Sequence, residues 1–220
     1  MPKAVFRAAK VHKQNFLIAG GFIRSVIAGD PVSDIDIFGS SKDALEAIAK
    51  SIVPPQGRLI ATDNAFTVTG YKLPIQFIHR WLFASPEQLI QSFDFTTASA
   101  AMWHDEDGWH SFCDDRFYTD LAAKRLVYRN PVCNEDAGGS MLRVLKFYQR
   151  GYRIPLDSLG SVMARIFNEV DKRHAEKADL KVSDIITGLL REVDPAIDPN
   201  HTAHLPDISK PQEQDEDAPL

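Results

Sequence analysis

The stretch Phe16-Leu-Ile-Ala-Gly-Gly-Phe-Ile-Arg24, running on to Ser33-Asp-Ile-Asp-Ile-Phe38, constrains this chain more than any other. It reads as a short apolar strand, a Gly-Gly turn, the start of a helix, a loop and a second strand. Residues two apart on a strand share a face, so Asp34 and Asp36 project together while Ile35 and Ile37 bury the other side. Paired carboxylates on one face are a means of holding a divalent cation. Gly20 and Gly21 allow a tight turn and a close backbone approach to a ligand, and the free N–H groups of the helix that follows point back at that turn. A phosphate is the expected guest. Gly29-Asp30-Pro31 then stops the helix, because proline cannot continue it.

The rest of the chain supplies a frame for this stretch. Residues 1–14 set Lys3, Arg7, Lys10 and Lys13 around Val5, Phe6 and Val11, a weakly amphipathic pattern that fits a leading helix or a solvated arm. Ser40 or Ser41 caps a helix over 42–52, in which Leu45, Ile48, Ala49 and Ile52 recur at helical spacing. Residues 58–62, 65–69 and 74–79 predict three strands in an antiparallel meander beside the first two. Ser85-Pro86-Glu87 opens another helix, and 98–103 with 109–113 predict a hairpin or a helix-to-strand passage across the polar turn Asp105-Glu-Asp-Gly108. From Thr119 the pattern is helical, over 120–126, about 140–152, 155–174 and 183–193. The fold class that follows is α+β: a small mixed sheet flanked by helices, then a mostly helical C-terminal part. The expected division is a head at 1–130, a helical neck at 131–193 and a disordered acidic tail at 194–220.

Composition narrows the setting. With 44% hydrophobic and 25% charged residues, the 220-residue chain is that of a globular protein, one domain with a small appendage. The net charge of -5 owes much to Gln212-Glu-Gln-Asp-Glu-Asp217, so it does not exclude a nucleic-acid partner for the body. No run approaches the roughly 18 apolar residues of a membrane span. Cys113 and Cys133, with no secretory leader before them, predict a reduced, cytoplasmic setting. His104, His110, Cys113 and Cys133 lack the paired spacing of a zinc site and read as hairpin histidines and buried thiols. Trp81, Trp103 and Trp109 read as core.

Gly20-Gly21-Phe-Ile-Arg24 and Asp34-Ile-Asp36 resemble the polymerase-β-type nucleotidyltransferase superfamily, and most of all the head of class II tRNA CCA-adding enzymes and bacterial poly(A) polymerases. Phe93-Asp94-Phe95-Thr96 with 98–102 resembles a further block of that family. So do Asp120-Leu121, Leu126 to Pro131, Glu135-Asp136 and the run from Leu142 through Lys146 and Phe147 to Tyr152. The likeness covers about residues 16–152. Three departures stand out: Ser25 follows Arg24 where the family has aspartate, Ser92-Phe93 replaces two arginines, and Gly138-Gly139 replaces a leucine and a base-reading arginine. The choice of nucleobase is therefore not carried over. After Tyr152 the chain has room for only a few short helices, so the expectation is a minimal transferase head rather than a complete tRNA-maturing enzyme.

The resemblance implies an ATP- or other NTP-binding, Mg²⁺-dependent nucleotidyltransferase of the tRNA-processing type, moving NMP to an acceptor hydroxyl, foremost an RNA 3′ end. Asp34 and Asp36 are then the catalytic metal ligands, and Gly20, Gly21 and Arg24 cradle the β- and γ-phosphates. Asp94 stands open between ribose contact, third carboxylate near the metals and helix N-cap; Gln76 lies where many members carry an acid. Arg143 and Lys146, one turn apart, are candidates for touching base or phosphate, and Arg80 is a further one. Two alternatives remain: a non-catalytic nucleotide-binding or interaction module, and a transferase acting on a protein or small molecule.

Overall fold

The computed structural model describes residues 1–129, 137–176 and 179–193. The predicted tail at 194–220 lies outside the described residues, as do Pro131, Cys133, Glu135 and Asp136. Helix α1 spans Lys3–His12, so the leading segment is helical, and it buries Val5, Ala8 and Ala9. Strand β1 (Leu17–Ala19), helix α2 (Gly21–Ala28) and strand β2 (Ile35–Phe38) follow in the expected order. Helix α3 (Lys42–Ser51) starts at Ser41, whose hydroxyl accepts from the Ala44 N–H at 3.3 Å. Strands β3 (Leu59–Ala61), β4 (Ala65–Val68) and β5 (Ile75–Ile78) come next. Helix α4 (Pro86–Gln91) is capped by Ser85 with proline in its first turn, and β6 (Ala100–His104) with β7 (Trp109–Cys113) form the hairpin. Helices α5 (Phe117–Ala122), α6 (Ala137–Gln149), α7 (Leu156–Glu176) and α8 (Val182–Val193) complete the chain.

All seven strands form one sheet in the order β3-β4-β5-β2-β1-β6-β7. The meander β3-β4-β5 is antiparallel, but β5 lies parallel to β2 rather than antiparallel to it. Helix α3 carries the chain back before β3, and two hairpin reversals then leave β5 running with β2. The sheet is therefore mixed. Helix α5 also differs from expectation, lying earlier than 120–126. Lys124 takes a left-handed φ of 46°, which ends the helix and turns the chain. Leu126 N–H then donates to the Arg153 carbonyl at 2.8 Å, tying this segment to the far end of α6.

One face of the sheet buries Ile18, Ile35, Ile37, Ile75 and Phe77 under α1 and α3. The other face packs Leu17, Ala19, Phe38 and Ala101 against Leu89 and Ile90 of α4. A third cluster joins Phe95, Phe117 and Leu126 to Val144, Phe147 and Tyr152 and to Val162 of α7. Among the described residues, no helix is long and apolar enough to cross a membrane.

Candidate functional site

Antiparallel pairing of β1 and β2 sets Ala19 opposite Asp36, which brings the Gly20-Gly21 turn beside Asp34. The alternation of β2 does the rest: Ile35 and Ile37 are wholly buried in the core, so Asp36 faces the other way. Gly20 takes φ +74°, a left-handed conformation suited to glycine. No side chain caps α2, so its first N–H groups open onto the turn. Residues Gly20, Gly21, Asp34 and Asp36 all line one polar cleft of about 500 Å³.

Burial, the neighbouring Asp34 charge and, against them, Arg24 leave the Asp36 carboxyl raised to about 7. Two carboxylates held this close repel, and a divalent cation between them relieves that repulsion. The donor set fits Mg²⁺, which takes one or two carboxylates and keeps its remaining positions for water and substrate phosphate. Beside the pair stands the amide of Gln76, in register with Asp36 on β5. Among the described residues no group of three or more metal-type side chains assembles. That also holds for the zinc candidates: His110 is bonded to Asp105 at 2.7 Å and Cys113 is a free thiol, while Cys133 lies outside the described residues.

Arg24 is buried rather than solvated. Its guanidinium lies 4.7 Å from the centre of the Phe147 ring, and Nη2 donates to Ser25 Oγ at 3.3 Å. Its Nε has no partner among the described residues. Burial and the charge of Arg150 lower its pKa, against the pull of Tyr152, Asp30 and Asp34. An arginine held this way is a ready donor to an anion placed between the turn and α6.

Asp94 is neither exposed nor a helix cap. The 3-10 turn Thr96–Ala98 begins after Phe95 with no side-chain cap, and Asp94 instead reaches α6. Its Oδ2 accepts from Ser140 Oγ at 2.8 Å and from Arg143 Nε at 2.7 Å. The cleft therefore has a fixed roof, in which Gly139, Arg143 and Lys146 share one side of α6 and Arg150 follows directly after its end. All eight predicted site residues line the same cleft: Gly20, Gly21, Arg24, Asp34, Asp36, Asp94, Arg143 and Lys146. Arg150 escaped the sequence reading, although it continues the helical spacing of Arg143 and Lys146 and was legible from that period. Asn64 and Trp81, also in the lining, carry no motif; Asn64 precedes β4 and Trp81 follows β5, and the antiparallel pairing of those two strands brings them to the cleft.

Solved structures share this architecture. The Thermotoga maritima CCA-adding enzyme complexed with tRNA is 18% identical over 78% of this chain and 44% of its own, with a TM-score of 0.56. A CCA-adding enzyme in complex with ATP is 18% identical over 87% and 48%, with a TM-score of 0.61. A tRNA nucleotidyltransferase with a primer tRNA and an incoming ATP analogue is 15% identical over 86% and 60%, with a TM-score of 0.57. The chain thus spans about half the length of these proteins, and it has the polymerase-β-type nucleotidyltransferase fold. No curated protein matches the sequence at comparable significance. A family profile matches residues 3–124, from α1 through the whole sheet and α5. On that span, more than half of the chain, the protein belongs to the Gabija anti-defense 2 family.

Proposed function

We propose that this chain transfers a nucleoside monophosphate from an NTP to an acceptor hydroxyl, with an RNA 3′ end as the first acceptor to test. The observation that carries the reading is the Ala19–Asp36 register, which sets an open helix N-terminus and a buried arginine beside two carboxylates. Asp34 and Asp36 would hold Mg²⁺, which when bound supplies charge neutralisation along the triphosphate. The N–H groups of α2 and the Arg24 guanidinium take the outer phosphates, and the cationic side of α6 closes over the nucleotide. Catalysis on this reading is positioning and electrostatics, with no covalent role for the protein. The reading includes the division into a head at 1–130 and a helical neck at 131–193.

The solved relatives described with CTP, ATP and tRNA support nucleotide and RNA as the partners to try first. The family's description attaches its members to the countering of Gabija defence, and we infer that nucleotidyl transfer is the chemistry behind that effect. A second reading, a nucleotide-binding module without turnover, is favoured by Gln76 at the position in register with Asp36. One assay separates them: incubation with each labelled NTP, Mg²⁺ and total RNA. Pyrophosphate release with labelled RNA, lost by at least about a thousandfold in Asp36→Asn, is expected. Nucleotide binding without release establishes the module, and full activity in Asp36→Asn overturns the site.

A further inference from the structure

The edge of the sheet at β7 carries a second cavity, of about 350 Å³, that shares no lining residue with the cleft. Met102 of β6 and Trp109 of β7 line it with Ile23, Val26 and Ile27 of α2 and Tyr118 of α5. It is apolar, and Val26, Ile27, Phe112 and Tyr118 around it are each at least 40% exposed. Strand β7 is its rim and the last strand of the sheet.

The free side of β7 is open for pairing. Bonds from Asp105 N–H to the Gly108 carbonyl and from Asp114 N–H to the Ser99 carbonyl, both 2.9 Å, set the phase of the β6–β7 ladder. Bonded and non-bonded positions alternate in an antiparallel pair, so the peptide groups of Trp109, Ser111 and Cys113 point away from β6. No hydrogen bond among the described residues takes them up. The strand Trp-His-Ser-Phe-Cys also contains no lysine and no proline, the usual means of blunting an exposed edge.

We propose that β7 accepts an extended segment of a partner protein as an eighth strand, with alternate side chains of that segment filling the cavity beside α2. Charge selects the occupant. Acids bracket the strand, Asp105-Glu106-Asp107 before it and Asp114-Asp115 after it. Lys13 and Arg129 pair with Glu106 and Asp114 and His110 is bonded to Asp105, but Asp107 and Asp115 are exposed and enter no ion pair among the described residues. Arg116 does not offset them, because it turns in to Asp120. A second copy pairing at this edge sets acid against acid at both ends, in either strand direction. The complementary segment is therefore foreign: apolar and uncharged in the middle, with lysine or arginine at each end.

The test uses the whole chain and two labelled peptides, Lys-Arg-Val-Thr-Val-Thr-Val-Arg-Lys and the same core flanked by glutamates. At low salt the basic peptide is expected to bind about tenfold tighter, two rim charges being worth this much. It should also slow hydrogen exchange at the amides of Trp109, Ser111 and Cys113. The double variant Asp107→Lys, Asp115→Lys should reverse the preference, and Ser111→Pro, where it folds, should abolish binding by removing an outward N–H. Equal affinity for both peptides, or bound peptide without protection of these three amides, overturns the proposal. Dimerisation of the chain that protects the same amides assigns the edge to a second copy and overturns it as well.

Discussion

At Asp36 burial and the adjacent Asp34 hold the carboxyl near 7, far above its ordinary range. In the unfolded chain it titrates near 4, so between about 4 and 7 the folded state binds the extra proton and its stability falls as pH rises. From pH 5 to pH 8 this single group is expected to cost the metal-free protein about 2–3 kcal/mol. Urea denaturation in a chelator at the two pH values measures it, and Asp36→Asn should remove that slope while abolishing transfer. Added Mg²⁺ should restore stability at pH 8, since it binds the ionised pair in the folded state alone. The Asp34–Asp36 pair was legible in the sequence, because a period of two fixes which side chains share a strand face. The state of Arg24 was not: its helix position is compatible with solvent, and only Phe147, over a hundred residues further on, shows that it is buried.

Helix α6 shows what an element adds to its residues. Gly139, Arg143 and Lys146 lie on one stripe, with Arg150 directly after the helix, and Asp94 fixes the height of that stripe over the cleft through Ser140 and Arg143. On the opposing side, a Cβ at Gly138 would come within 2.5 Å of the Leu189 carbonyl of α8, so glycine there serves helix packing. This is a physical reason for glycine where the resembling family has leucine. Asp94→Ala removes the buried carboxylate that accepts from both Ser140 and Arg143, and a loss of about 1–3 kcal/mol is expected. A double-mutant cycle with Arg143→Ala should return a coupling of about 1 kcal/mol, and NTP affinity should fall in both single variants. Unchanged affinity in Asp94→Ala would remove α6 from the nucleotide site. A helix-cap role, which the sequence allowed, predicts no coupling to Arg143 at all.

For the molecule as a whole, the joint between sheet and C-terminal helices rests on the third apolar cluster and on Asp120. That carboxylate is fully buried and takes Thr96 Oγ1 at 2.7 Å, Arg125 Nη2 at 2.7 Å and Arg116 Nε at 3.3 Å. Because Arg116 and Arg125 are half-exposed, they regain water when the acid is lost, and Asp120→Ala is expected to cost about 1–3 kcal/mol rather than the larger penalty of a wholly buried pair. The denaturant midpoint reads this directly. Since the backbone around Arg125 bridges to that of Arg153 beyond α6, the variant should loosen the roof of the cleft and weaken nucleotide binding without touching Asp34 or Asp36.

The sequence by itself determined what depends on neighbours in the chain. Strand alternation set the carboxylate pair, Gly20-Gly21 set the start of α2, and Ser85-Pro86 set the start of α4. Each is a matter of backbone geometry and side-chain period over a few residues. The tertiary structure decided what depends on residues far apart: the parallel pairing of β5 with β2, the burial of Arg24 on Phe147, and the capture of Asp94 by α6. Those outcomes follow from how layers pack, and side chains 49 positions apart in Asp94 and Arg143 leave no periodic trace by which the pairing is readable beforehand.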